Sequence, residues 1–116
     1  MGKRILVVED STMMRRIIIK NLKEAGHEIV GEASSGQQAL ELYQELKPDL
    51  VTMDITMRGM DGIEASKEIM NIDSEAKILI LSNLDEDKYR EKVDKIGVIG
   101  LVNKHRTDLI LELIDN

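Results

Sequence analysis

The chain has no cysteine, no tryptophan and no phenylalanine, and its 116 residues include a single proline, Pro48. Without cysteine there is neither a disulfide framework nor a thiolate metal site, a composition that suits a reducing compartment. Tyr43 and Tyr89 are the only aromatic residues, so there is no stacking platform for nucleotide bases. Positive charge is also short. Lys and Arg number 16 against 22 Asp and Glu, a net charge of −6, which argues against a general nucleic-acid surface and serves solubility. No apolar run approaches the ~18 residues of a membrane span. The opening Met1-Gly2-Lys3-Arg4-Ile5-Leu6-Val7-Val8 is too short for a signal peptide, and Glu9-Asp10 interrupts it. The expectation is a cytoplasmic protein that binds neither nucleic acid nor membrane, with one domain over residues 1–116. A domain of that size buries roughly two thirds of its unfolded surface and needs no staples.

Short β-branched runs alternate with amphipathic stretches. Strands are expected at Arg4–Val8, Glu28–Glu32, Leu50–Met53, Lys77–Leu81 and Val98–Val102. Between them, Met14, Ile17, Ile18, Leu22 and Ala25 share one helical face, stopped by Gly26, and Ala39, Leu40, Tyr43 and Leu46 another, ended by Pro48. Ile63, Ile69, Met70 and Ile72 form a third stripe, Tyr89, Val93 and Ile96 a fourth, and Leu109, Ile110, Leu113 and Ile114 a last. Ser11 or Thr12, Asp61, Asp85 and Thr107 are candidate N-caps, and Ser34-Ser35-Gly36 reads as a loop and cap. Such alternation predicts an α/β fold with a parallel sheet covered on both faces. For five βα units with right-handed crossovers, the doubly wound, flavodoxin-like (βα)5 order 2-1-3-4-5 is the common solution. It makes the first and third strands neighbours, with a ligand crevice at their C-terminal ends.

Acid stands at those ends. Ile5-Leu6-Val7-Val8 runs into Glu9-Asp10, and Leu50-Val51-Thr52-Met53 into Asp54. Three crowded carboxylates repel and raise one another's pKa, and a hard divalent cation is the usual remedy. Asp10 and Asp54 suit Mg²⁺ directly, with Glu9 ligating it or reaching it through water. Ser82 closes the fourth apolar run with a hydroxyl, and Lys104 follows the fifth with a cation. Metal, lysine and oriented donors are sufficient machinery for phosphoryl transfer, and a carboxylate can be its nucleophile. Each residue alone reads more blandly: the acids as solvated strand ends, Ser82 as a turn or cap, Lys104 as a surface lysine. His27 reads as a turn residue and His105 as a loop residue. Met14, Met53 and Met70 read as core filler, while core and contact roles weigh equally for Met57 and Met60.

The whole chain resembles the receiver domain of two-component response regulators, in particular the stand-alone chemotaxis type, itself an example of this strand order. The pieces that carry the resemblance are Ile5-Leu6-Val7-Val8-Glu9-Asp10-Ser11, Lys47 to Met57 around Asp54, Met60-Asp61-Gly62, Leu81-Ser82 and Lys104. The resemblance implies a phosphoacceptor, Asp54, supplied by a histidine kinase or phosphotransfer protein and read by a downstream output protein. It implies Mg²⁺ held by Asp10, Asp54 and the Thr56 carbonyl with Glu9 assisting. It implies that Ser82 and Lys104 bind the phosphoryl group, helped by backbone N–H groups at Thr56 and Asn83, and that Ser82 and residue 101 form the output switch. Such a protein phosphorylates and dephosphorylates itself without being a metabolic enzyme.

Five positions depart from the pattern: Glu9 for Asp, Arg58 for Pro, Asn83 for a small residue, Leu101 for Tyr or Phe, and His105 for the Pro that forms a cis bond. A cis bond before a non-proline residue costs ~3–4 kcal/mol, so the Lys104–His105 peptide is expected to be trans. Leu84 offers no hydrogen bond to an attacking water, which predicts slow self-dephosphorylation. Tyr89 and the acidic run Asp85-Glu86-Asp87 lie where receivers often dock partners. A phosphorylation-independent scaffold is the competing reading, supported by Arg58, Leu101 and His105. A small aspartate-nucleophile phosphatase is a third, disfavoured because Thr56 stands where its second Asp belongs.

Overall fold

The computed structural model describes residues 2–83 and 87–115. Five strands alternate with five helices: β1 (Arg4–Val8), α1 (Thr12–Glu24), β2 (Glu28–Ala33), α2 (Gly36–Leu46), β3 (Leu50–Asp54), α3 (Gly62–Ile72), β4 (Ile78–Ser82), α4 (Asp87–Asp94), β5 (Gly100–Asn103) and α5 (Thr107–Asp115). The strands form one sheet of order β2-β1-β3-β4-β5, and every neighbouring pair is parallel. This is the expected doubly wound arrangement. No described helix is long and apolar enough to cross a membrane.

The apolar runs are continuous because both sheet faces are covered, and the pleat divides them residue by residue. Leu6, Val8, Val51, Met53, Ile78, Ile80 and Leu101 pack with Ala39, Tyr43, Ile63 and Ile69 on the α2–α3 side. Ile5, Val7, Leu50, Leu79, Leu81 and Val102 pack with Ile18, Leu22, Ile110 and Ile114 on the α1–α5 side. Met57 joins the first core and Met60 packs against it, so the core role wins for both.

Strand ends differ from expectation where they matter for chemistry. β3 includes Asp54, and β4 is shifted to end on Ser82 itself, so both residues are the last rung of their strands, paired as Asp54↔Leu81 and Ser82↔Asn103. β5 starts two residues late. Gly97, at φ 93°, closes the chain after α4, and Val98 and Ile99 are spent returning to the sheet.

Three helices begin on the expected side-chain caps. Ser11 accepts from the Met14 N–H, Ser35 from Gln38 and Asp61 from Glu64. Asp85 lies outside the described residues. Thr107 is not the cap of α5: it is the first helical residue, the Arg106 carbonyl accepts from the Ile110 N–H at 3.0 Å, and the Thr107 hydroxyl accepts from Asn21 at 3.2 Å. Ala25 falls past the end of α1 and is exposed. Ile17 and Ile72 are 46% and 52% exposed, because each lies at the rim of its stripe where no second element covers it. His27 is buried rather than a free turn residue. Its Nδ1 accepts from the Lys3 N–H at 3.0 Å, which ties it to the residue before β1, and its Nε2 lies 3.3 Å from Asp115 Oδ1 in α5. Tyr43 donates to Asp73 at 2.8 Å. Burial and that bond push its hydroxyl up to about 12.

Candidate metal and phosphate site

The sheet delivers the site at its C-terminal edge. Glu9 directly follows β1, and its N–H donates to the Ala33 carbonyl at 2.9 Å. The Ile55 N–H donates to Leu81 at 3.3 Å, and the Lys104 N–H to Ser82 at 2.9 Å. These ladder bonds carry the sheet's order one residue beyond β1, β3 and β5, so the side chains at these strand ends keep fixed relative positions.

Lys104 Nζ lies 2.7 Å from Glu9 Oε1 and 2.9 Å from Asp54 Oδ1. All three residues are buried, with 1%, 3% and 5% exposure for Glu9, Asp54 and Lys104. The second Glu9 oxygen accepts from the Ser11 N–H at 3.0 Å, so both of its oxygens have partners. Burial and the Glu9 charge push the Asp54 carboxyl up to about 6, against the lowering pull of Lys104. Burial works to lower the Lys104 pKa, but Glu9 and Asp54 outweigh it and the ammonium titrates above its usual range.

Asp10, unlike Glu9, is exposed. Each of Glu9, Asp10 and Asp54 offers one carboxylate oxygen, and the three oxygens lie within 4.8 Å of one another. Oxygen donors clustered at that spacing fit a hard cation such as Mg²⁺. Asp10 and Asp54 are the better-placed ligands, since Glu9 already holds Lys104 and Ser11. Thr56 is exposed at the mouth of the site, Ser82 is buried beside it, and Asn83 is exposed. Leu101 is not part of the polar cluster. It is buried in the α2–α3 core, against which Tyr89, Ile96 and Val98 pack.

Two supporting residues escaped the sequence reading. Arg15 donates to the Glu9 carbonyl at 2.7 Å and to Glu32 at 3.0 Å, pinning the backbone between the two acids; an arginine one turn into an amphipathic helix gives no signal of such a role. Gly62 was visible only as part of a motif. Its N–H donates to the Ile55 carbonyl at 2.8 Å, and a Cβ there would stand 1.9 Å from the Asp54 carbonyl oxygen. Gly62→Ala should therefore cost about 1–3 kcal/mol by overpacking and displace the acid it abuts. A lowered urea midpoint together with weakened Mg²⁺ binding is the expected result.

The raised Asp54 pKa gives a signed pH dependence. A carboxyl raised on folding stabilises the fold fully below its unfolded pKa, near 4, and loses that contribution as pH rises through about 6. In EDTA, wild type should lose that stability relative to Asp54→Asn between pH 4 and pH 7, measured by urea unfolding.

The family model of the response regulator receiver domain matches residues 5–115. The chain belongs to that family. Chemotaxis protein CheY of Thermotoga maritima is 46% identical over 104 residues, covering 90% of this chain and 87% of that protein. CheY of Bacillus subtilis is 43% identical over 116 residues, covering 99% and 97%. Among solved structures, the response regulator domain of Thermotoga maritima CheB matches with a TM-score of 0.91 at 30% identity, covering 99% of this chain and 95% of that one. A chain from the CheX–CheY–BeF3–Mg complex of Borrelia burgdorferi matches with a TM-score of 0.90 at 26% identity, covering 96% and 85%. The receiver is thus of the CheY type, and its departures from the receiver pattern can be placed. Lys104–His105 is trans, as no cis peptide occurs among the described residues. Leu101 occupies the aromatic position as an aliphatic core residue. Leu84, on which the slow-dephosphorylation expectation rests, lies outside the described residues.

Proposed function

We propose that this chain is a phosphoacceptor receiver of a two-component system. Asp54 takes a phosphoryl group from a histidine kinase or phosphotransfer protein in a Mg²⁺-dependent reaction, and the phosphorylated surface changes its affinity for an output protein. The observation that carries this reading is the buried Lys104 bridging Glu9 and Asp54 beside Asp10. It supplies a carboxylate nucleophile, a cation for the transferred charge and an acidic metal seat within one crevice. Bound Mg²⁺ would be held by Asp10 and Asp54, with the Thr56 carbonyl, and would draw an anionic phosphoryl donor into an acidic pocket. Asp54 forms the new O–P bond as the donor's P–N bond breaks. Lys104 offers its ammonium to the phosphoryl oxygens and Ser82 its hydroxyl.

The donor's approach is supported by α1. Met13 and Ile17, one turn apart, are 75% and 46% exposed. They line a cavity of about 340 Å³ that Asn83, Lys104 and His105 also border. An apolar patch touching a phosphate site is a fitting seat for a helical phosphodonor. The chain acts in the cytoplasm in this reading, and its catalysis is confined to its own phosphorylation and dephosphorylation.

The test is intact mass after incubation with Mg²⁺ and acetyl phosphate; no phosphoryl adduct on the wild type overturns the reading. A scaffold indifferent to phosphate is the second reading, favoured by the aliphatic, buried Leu101. Titrating an output partner with and without beryllofluoride separates the two, and equal affinity selects the scaffold.

A further inference from the structure

Two of the departures from the receiver pattern touch each other. Asn83, where a small residue is usual, and His105, where proline is usual, meet at 3.2 Å between Asn83 Oδ1 and His105 Nε2. Asn83 directly follows Ser82, and His105 directly follows Lys104. The β4–β5 ladder ends with the Lys104 N–H donating to the Ser82 carbonyl at 2.9 Å. The Asn83–His105 contact thus adds a side-chain rung one residue beyond the last backbone rung, between the loops that carry the two phosphate-binding side chains.

The β5–α5 loop is built to present His105 in this way. The His105 N–H donates to Asn103 Oδ1 at 2.8 Å, an Asx turn, and the Arg106 N–H returns to the Asn103 carbonyl at 3.0 Å. Proline at position 105 would have no N–H to give Asn103. A loop without the rigid ring is closed here by a side-chain turn and a cross-loop contact, both of which need a non-proline residue.

We propose that His105 is a positioning residue for the phosphoryl site, acting through Asn83 to hold the Ser82 and Lys104 loops at a fixed separation. The contact lies between the β4 and β5 loops, which carry the phosphate-binding side chains, whereas the acids of the metal cluster come from β1 and β3. This rests on the receiver reading above. Disturbing the pair changes how well Ser82 and Lys104 converge on a phosphoryl oxygen, while Glu9, Asp10 and Asp54 keep the backbone positions that β1 and β3 give them and feel the change only through Lys104.

The test is the affinity for beryllofluoride in the presence of Mg²⁺, followed through the amide resonances of Ser82 and Lys104, with Mg²⁺ affinity measured separately. His105→Ala and Asn83→Ala should each weaken beryllofluoride about threefold to tenfold, the range of one hydrogen bond. The double variant should be no weaker than either single one, because both remove the same contact. His105→Gln, which restores an N–H donor, should recover most of the loss, and Mg²⁺ affinity should fall by less than beryllofluoride affinity in every variant. Unchanged beryllofluoride affinity in the single variants, additive losses in the double variant, or a parallel fall in Mg²⁺ affinity would each overturn the proposal. A wild type that takes up no beryllofluoride overturns the receiver reading with it; a wild type that binds normally beside indifferent variants overturns this proposal alone.

Discussion

Asp54→Asn is expected to take up no phosphoryl group from acetyl phosphate under conditions where the wild type should gain the mass of one. The neutral amide is a poor nucleophile, its nitrogen lone pair delocalised into the carbonyl, whereas the carboxylate oxygen carries the negative charge that attacks phosphorus. The variant still folds, because the amide oxygen can accept the Lys104 hydrogen bond now made to Asp54 Oδ1. Its stability at neutral pH should equal or exceed that of the wild type, since a buried carboxylate whose pKa is raised to about 6 opposes folding once ionised. Loss of phosphorylation in a protein at least as stable as its parent separates a chemical role from a structural one. A variant that still takes up one phosphoryl group would place the acceptor elsewhere and sink the assignment.

Lys104→Ala produces the other large effect, mainly on stability. Glu9 and Asp54 are then buried at the same crevice without the ammonium that both touch. Removing one partner from a buried charge cluster costs about 3–5 kcal/mol. The loss has a direction in pH. Without the cation, the two acids repel and at least one pKa rises further, so protonation favours the folded state. Urea unfolding in EDTA should show a larger deficit at pH 8 than at pH 5. Millimolar Mg²⁺ should restore part of the stability at pH 8 without restoring phosphorylation, because the ion compensates the carboxylates but cannot replace the phosphoryl contact. A deficit that is independent of both pH and Mg²⁺ would mean that Lys104 acts only through the packing of its stem.

The fold was legible because four of the five strands are short apolar runs ended by a turn or a polar residue, each helix carries a stripe and most carry a cap. Asp54 and Ser82 could be read from the same pattern: each closes an apolar run, and each proves to be the last rung of its strand. Which oxygen meets which nitrogen was not legible. Nothing in the order of residues says that Glu9 spends both oxygens on Lys104 and Ser11 while Asp10 stays exposed. That division follows from the direction of the chain as it leaves β1, which Arg15 holds from α1. His27 misled for a related reason. Beside Gly26 it reads as a turn residue, but it is buried, with its Nδ1 accepting from Lys3, a residue distant in sequence. Thr107 has the composition of a cap, but its hydroxyl serves Asn21 across a helix–helix contact, a tertiary demand that local propensity does not record.

The Lys104 bridge also bears on the order of events in the life of the chain. An acidic crevice that depended on an outside ion for its neutrality would leave the newly made polypeptide waiting for that ion before it could close. Here the counter-charge is encoded ninety-five residues after Glu9 and arrives with the last strand and its loop. The two buried acids therefore have a counter-charge within the folded chain itself. Under the proposed function, a metal would then bind reversibly to a domain that is already folded.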